Sequence, residues 1–399
     1  MPRILFVAMS ESVHTARWID QLVDLGWDIH LFPSAGLTIH PQLNNITIHG
    51  FDIRPPVSNR GLIFAGAFPN TLSLRLNRLL RMGVPAIESS QAYRLARTID
   101  SIQPDIIHSL EMQHAGYLTL EARRYVKNPF PSWVYTPWGN DIFLFGQLSA
   151  HKDKIESVLA ACDYYGPKSK RDITLGRAYG FKGDMLPVLP GNGGLDTRHL
   201  RRLWQPGPPS ARRVIMLKGY QGSMGRALVA LRAIELCADL LKDYQVAVYS
   251  TGEDVRIKAE LVSKLTGIPI QIIPAIQHEE MMKLYGRARI SMGLSISDGV
   301  PNSMLEAMAM GAFPIESNTS CADEWIVDGK TGFIVPPEDY EPIIESIRRA
   351  VKDDSLVDKA SQINAQVVHE RADVSVIKPQ VLSMYSHIAL VSRTRRGAL

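Results

Sequence analysis

The 399-residue chain has only three cysteines, Cys162, Cys237 and Cys321, scattered and without the paired spacing of a metal site. That excludes a disulfide framework and fits a reducing compartment. Long hydrophobic runs are also missing, since no apolar stretch is long enough to span a bilayer. The opening Met1-Pro2-Arg3-Ile4-Leu5-Phe6-Val7-Ala8 resembles a secretion signal only superficially. Its apolar run is short and a helical pattern follows at once, so it reads as a first buried strand. The protein is expected in the cytoplasm. Metal motifs are lacking too: His278-Glu279-Glu280 has no second histidine in place, and no Asp-x-Asp sits in a strand-exit loop. Neither a metal nor another cofactor is expected. The formal net charge is only +4, and no nucleic-acid partner is expected.

Acid is missing from one place in particular. Between Asp52 and Glu88 there is none, while Arg54, Arg60, Arg75, Arg78 and Arg81 fall within that stretch, the last three interleaved with leucines. Arginines recurring every three residues share a helix face. That face is either solvated, with its stems over a core, or a surface for an anionic membrane or a polyprenyl-diphosphate acceptor. The terminal Arg393-Thr394-Arg395-Arg396 either adds to it or frays.

What is present is a repeated alternation of strand and helix patterns. Strands are predicted at 4–8, 28–32, 46–49, 106–109, 133–136, 164–166 and 185–189. After a Pro- and Gly-rich stretch at 201–212 they resume at 214–217, 246–249, 270–273, 290–294, 313–315 and 333–335. The expected architecture is α/β, with two Rossmann-like, doubly wound domains: residues 1–200, a linker at 201–212, and residues 213–373.

The densest chemistry lies at Ser297-Asp298-Gly299-Val300-Pro301-Asn302-Ser303-Met304-Leu305-Glu306. A buried strand precedes it. Gly299 and Pro301 mark a loop, strong helix formers follow, Gly311 is a natural stop, and Phe313-Pro314-Ile315 opens another strand. In such a unit the loop lies at the carboxyl end of a strand, where open parallel sheets bind ligands. Free N–H groups at the helix start favour a diphosphate. An ionised carboxylate only accepts, so Glu306 suits a ribose diol and Asp298 a hexose. The plainer alternative makes Ser303 and Glu306 a capping box and Asp298 a turn residue. Lys218-Gly219, after another predicted strand, and Arg226 in a Gly-rich turn suit a diphosphate clamp.

With these residues the chain resembles the family-4 retaining glycosyltransferases, two-domain enzymes of the GT-B type. That family carries two acids separated by seven residues, then an Ala-Met-Ala-rich helix and a Gly-x-Pro-x strand; here the acids are Asp298 and Glu306. Glu324 to Pro337 resembles its next signature, with Ser320-Cys321 replacing the usual Gly pair. The resemblance implies two domains facing across a cleft, nucleotide sugar on the second, acceptor on the first, and closure at the linker. It implies donor contacts at Lys218, Gly219, Arg226, Gly252, Gly299, Val300, Pro301, Asn302, Ser303 and Glu306, with Asp298, Glu306, Lys218, Arg226 and Asp141 taking part in the chemistry. It also implies that residues 374–399 form a helix crossing back to the first domain.

Acceptor contacts are expected at Ser12, His14, Arg17, His108 and Trp138. Trp138 departs from the family, standing where most members have a histidine; an indole can stack on a sugar but cannot take a proton. The implied function is transfer of a hexose or N-acetylhexosamine, from a UDP or next a GDP sugar, to a glycan or lipid-linked acceptor in cell-surface polysaccharide or glycoconjugate synthesis. The enzyme is then cytoplasmic, or peripheral on the inner membrane face. A sugar-nucleotide 2-epimerase and an inactive sugar-nucleotide-binding subunit of the same fold remain as alternatives.

Overall fold

The computed structural model of the chain describes residues 1–35, 38–50, 60–65, 90–191 and 193–397. Of the arginine-rich face, Arg54, Arg75, Arg78 and Arg81 lie outside the described residues, as do the side chains of Arg395 and Arg396. The chain divides into two compact units. One joins Met1–Gly193 to Lys378–Leu399; the other is Gly194–Ile377.

The first unit holds β1 (Arg3–Ala8), β2 (Asp28–Pro33), β3 (Thr47–His49), β4 (Ile63–Ala65), β5 (Ile106–Leu110), β6 (Ser132–Thr136), β7 (Tyr164–Tyr165) and β8 (Asp184–Met185). Each neighbouring pair is parallel and the order is β4-β3-β2-β1-β5-β6-β7-β8, so the winding reverses between β1 and β5. Ile4 through Ala8 are fully buried, the continuous apolar run of a strand covered on both faces. Ser12 caps the helix Val13–Val23 by accepting from the His14 N–H, and Ser90 caps Gln91–Ile102 through the Tyr93 N–H. β4 was not anticipated: three residues on the sheet edge, with Ile63 exposed, leave no periodic signature.

The second unit holds β9 (Val214–Lys218), β10 (Gln245–Tyr249), β11 (Ile270–Ile273), β12 (Ala288–Gly293), β13 (Phe313–Ser317) and β14 (Phe333–Val335). They too are parallel, ordered β11-β10-β9-β12-β13-β14, with the reversal between β9 and β12. Gly311, at φ +80°, ends the turn after the helix Asn302–Ala309, packed against the Trp204 ring. The 201–212 segment, expected as a linker, is part of this unit. Its Arg212 guanidinium is buried on the carbonyls of Ala288 and Met310, and Trp204 Nε1 donates to Ala309 O at 2.8 Å. Proline and glycine signal irregular backbone, which a unit can bury when side chains satisfy its polar groups.

The helix Val374–Gly397 passes from the second unit into the first. Within the first unit the Tyr385 hydroxyl accepts from Trp18 Nε1 at 2.7 Å and bonds His108 Nδ1 at 2.6 Å, while Arg393 pairs with Asp105 at 3.2 Å. Arg393 is thereby anchored rather than frayed. No described helix is long and apolar enough to cross a membrane.

Three buried histidines shape the acid response of the first unit. His30 Nδ1 meets His49 Nε2 at 2.9 Å, and His30 Nε2 faces Asp28 at 3.0 Å, which Arg3 also binds. Burial lowers His30, and burial with the neighbouring His30 takes His49 down to about 4; burial with Lys168 takes His108 to about 3. The unfolded chain therefore binds protons first as pH falls below the ordinary 6.5. Stability is full above 6.5 and declines toward pH 4, measurable as denaturant midpoints across that range. His49→Gln is expected to flatten the slope, its share being roughly 3 kcal/mol.

Candidate functional site

Two loops meet at the reversal of the second sheet. The loop after β9 is strapped to the loop after β12 by Arg226 N–H to Leu294 O (2.9 Å) and Ile296 N–H to Met224 O (2.8 Å). Its glycines make the turn possible: a Cβ on Gly225 would lie 2.1 Å from Tyr220 O, and one on Gly219 would lie 2.6 Å from Thr251. This packing sets Lys218 beside Asp298, Nζ to Oδ2 at 3.1 Å, with the ammonium also over the Tyr220 ring at 4.7 Å. Burial alone would push the Lys218 ammonium toward release of its proton. Asp298, the foremost of the neighbouring acidic groups, more than offsets that and holds it above the usual lysine range.

Next along the chain, the helix Asn302–Ala309 starts at Pro301, with no side-chain cap and no acid in its first turn. Pro301 as N-cap makes Ser303 the second helical residue and Glu306 the fifth. Proline also has no N–H to donate to a carboxylate, so the capping box is excluded. Glu306 is 9% exposed and accepts from His278 Nε2 at 2.8 Å. Ser303 bonds the Tyr249 hydroxyl, which also accepts from Tyr285 at 2.8 Å. The Gly299 carbonyl accepts from Cys321 N–H at 2.9 Å, and Val300 is half-buried. Gly252 opens the helix Glu253–Thr266, whose first turn already carries Glu253 and Asp254. Those acids disfavour an anion there.

Arg226 is brought to the same loop but is engaged otherwise. Its Nε donates to Glu338 at 2.6 Å and its Nη1 to Gly222 O and Gly225 O. Glu338 itself is largely exposed.

In the first unit, Ser12, His14 and Arg17 stand at the start of the helix after β1. His14 lies edge-on to Trp138 with centroids 5.4 Å apart, and Lys168 Nζ is 5.6 Å from the same indole. Trp138 is held by its backbone: its N–H donates to Asp141, which also accepts from Tyr135 Oη (2.9 Å) and Met112 N–H (3.1 Å). Asp141 is thus a buried bracket for the loop. Burial and nearby Glu111 raise its carboxyl to about 7, and burial lowers Lys168 to about 8 against the pull of Asp141 and Asp172. His108, expected among the acceptor contacts, is fully buried; its ring bonds Tyr385 and, at 2.8 Å, Thr136. With both nitrogens committed inside the core it is a structural residue. Among the described residues no group of three or more His, Cys, Asp or Glu is placed to hold a metal.

Sequence reasoning missed Glu316, Lys168, His278 and the Tyr249–Tyr285 pair. Glu316 sits inside β13, 2% exposed, and burial drives its carboxyl well above the usual range despite Lys218. An acid within a central apolar strand was the signal that could have found it. Its strand partner is Gly293, on which a Cβ would lie 2.7 Å from Glu316 Oε2. Gly293→Ala is therefore expected to push this carboxyl aside and cost about 1–3 kcal/mol, read from the denaturant midpoint, without loss of the fold.

Residues 223–367 match the family described as glycosyl transferases group 1, and residues 3–164 match glycosyl transferase 4-like proteins. A capsular polysaccharide biosynthesis glycosyltransferase, CapM of Staphylococcus aureus, is 27% identical over 112 residues. That match spans 28% of this chain and 30% of CapM. The sucrose-phosphate synthase of Thermosynechococcus elongatus is similar in structure, with a TM-score of 0.69 over 98% of this chain and 100% of that one at 14% identity. HepE of Anabaena, solved with UDP-glucose, gives a TM-score of 0.68 over 96% and 99% at 12% identity. At such identities these structures show the shared GT-B fold.

Proposed function

Because the chain belongs to the group 1 glycosyltransferases, we propose that it moves a hexose or N-acetylhexosamine from a nucleoside-diphosphate sugar to a glycan or lipid-linked acceptor, with retention at the anomeric carbon. UDP is the favoured nucleotide and GDP the next. The observation that carries this reading is the Lys218–Asp298 pair at the sheet reversal, beside an uncapped helix N-terminus with Glu306 on its second turn.

In this reading the diphosphate lies against Lys218, the first N–H groups of Asn302–Ala309, and Arg226 released from Glu338. Glu306 accepts from the ribose diol, with His278 orienting its carboxylate. Asp298 faces the hexose. The bond from the anomeric carbon to the phosphate oxygen breaks as the bond to the acceptor oxygen forms on the same face. The departing phosphate takes the acceptor's proton, so glycoside and nucleoside diphosphate are the products. The protein contributes positioning and charge stabilisation. The acceptor is assigned to the first unit, at Ser12, His14, Arg17 and Trp138, with Lys168 as an added cation. The polysaccharide setting is supported by the similarity to CapM.

Calorimetric titration with UDP, GDP, ADP and dTDP tests the donor. UDP is expected to bind, and Glu306→Ala to weaken it by about ten- to a hundredfold, the worth of hydrogen bonds to a charged group. Unchanged affinity in the variant would remove Glu306 from the site. Turnover of a UDP sugar into an α-linked glycoside from an α-configured donor is the expected product. A free epimerised sugar or no turnover would overturn transfer.

A further inference from the structure

The second unit brings two carboxyl groups, those of Asp298 and Glu316, to the neighbourhood of the Lys218 ammonium. Asp298 takes the ammonium directly, at 3.1 Å. Glu316, two strands from Lys218 in the sheet, reaches the same charge because the strand between them carries Gly293 at that level. Among the described residues no donor makes a hydrogen bond to the Glu316 carboxyl, although the residue is 2% exposed. A buried ionised carboxylate without a donor is costly, and a second negative charge beside Asp298 adds repulsion.

We propose that Glu316 is a positioning residue of the donor site: it stays un-ionised beneath Lys218, so that Asp298 alone neutralises the ammonium and an arriving diphosphate meets no second buried negative charge. The inference rests on the donor-site reading above. The groups facing this point are Lys218 from β9, Tyr249 from β10, Asp298 from the loop after β12, and Tyr285 from the helix His278–Arg287. Both tyrosines are driven upward, chiefly by burial, Tyr249 to about 12, so neither supplies a competing charge near neutrality. Burial and Asp298 act on Glu316 in the direction the geometry requires, against Lys218.

Ionisation of Glu316 at higher pH would bring back the opposing charge. Affinity for UDP is therefore expected to fall from neutral to alkaline pH in the wild type by about tenfold. In Glu316→Gln, a neutral isostere, it should stay within about threefold of the neutral wild-type value throughout. Ionisation of UDP itself is common to both proteins and cancels.

The proton can also be read without nucleotide. Infrared difference spectra of wild type minus Glu316→Gln at neutral pH should show the C=O stretch of an un-ionised carboxyl. Should the variant not fold, carboxyl-carbon NMR of wild type labelled at glutamate should show one signal un-ionised at neutral pH. A missing band, or glutamates that all titrate in the usual range, would overturn the proposal. So would a Glu316→Gln protein that loses UDP at every pH, or one whose pH profile equals the wild type's. If the wild type binds none of the four nucleotides, the donor-site reading falls and the positioning role with it, while the infrared band still decides the proton.

Discussion

Lys218 stands where the winding of the second sheet reverses, and the surrounding structure is organised to keep one positive charge stable there. The reversal between β9 and β12 leaves a notch at the carboxyl ends of the strands, and parallel pairing directs all six strands toward it. The notch needs glycine at Gly219 and Gly225 to bring its loops together, and at Gly293 to let a carboxyl reach across a strand. Asp298 supplies the counter-charge, and the helix that follows supplies N–H groups without a competing acid. The Glu306–Tyr285–Tyr249 side extends the polar lining from the helix to the base of the sheet.

The first unit handles charge differently. Around β5 and β6, Asp141 and Glu111 are spent mostly on holding backbone. Glu111 adopts φ +85° and accepts from two N–H groups of the short π-helix Met112–Gly116, while Asp141 collects three donors. Such brackets fix where Trp138 stands through its backbone N–H. A strained residue this close to a sheet reversal is kept by the bonds around it.

Much of the scaffold was legible because fully buried parallel strands write themselves as short β-branched and aromatic runs, as at Ile4 to Ala8 or Phe313 to Ile315. Asp298 and Glu306 stand out in the sequence because a loop acid and a helix acid flank recognisable glycine and proline punctuation. Four things were not. β4 is too short and too exposed to be periodic. Glu316 looks like an interruption in a strand until Gly293 is seen opposite it. His108 was read as an acceptor contact because its motif says nothing about Tyr385, almost three hundred residues later, which closes it into the core. The partners of Arg226 are likewise remote, Glu338 lying 112 residues on. The last three are tertiary pairings that local pattern cannot encode.

The return of the final helix has a consequence for the order in which the protein is made. The first unit is written in two pieces, with the whole of Gly194–Ile377 inserted between them. Trp18 and His108 acquire the hydroxyl that joins them only when Tyr385 is synthesised. During translation the inserted unit has all of its residues first. The unit begun earlier stays open at its core until the residues beyond Ile377 have been made. Its completion is a long-range closure, slow by topology, and the segment that begins at Lys378 acts as its latch.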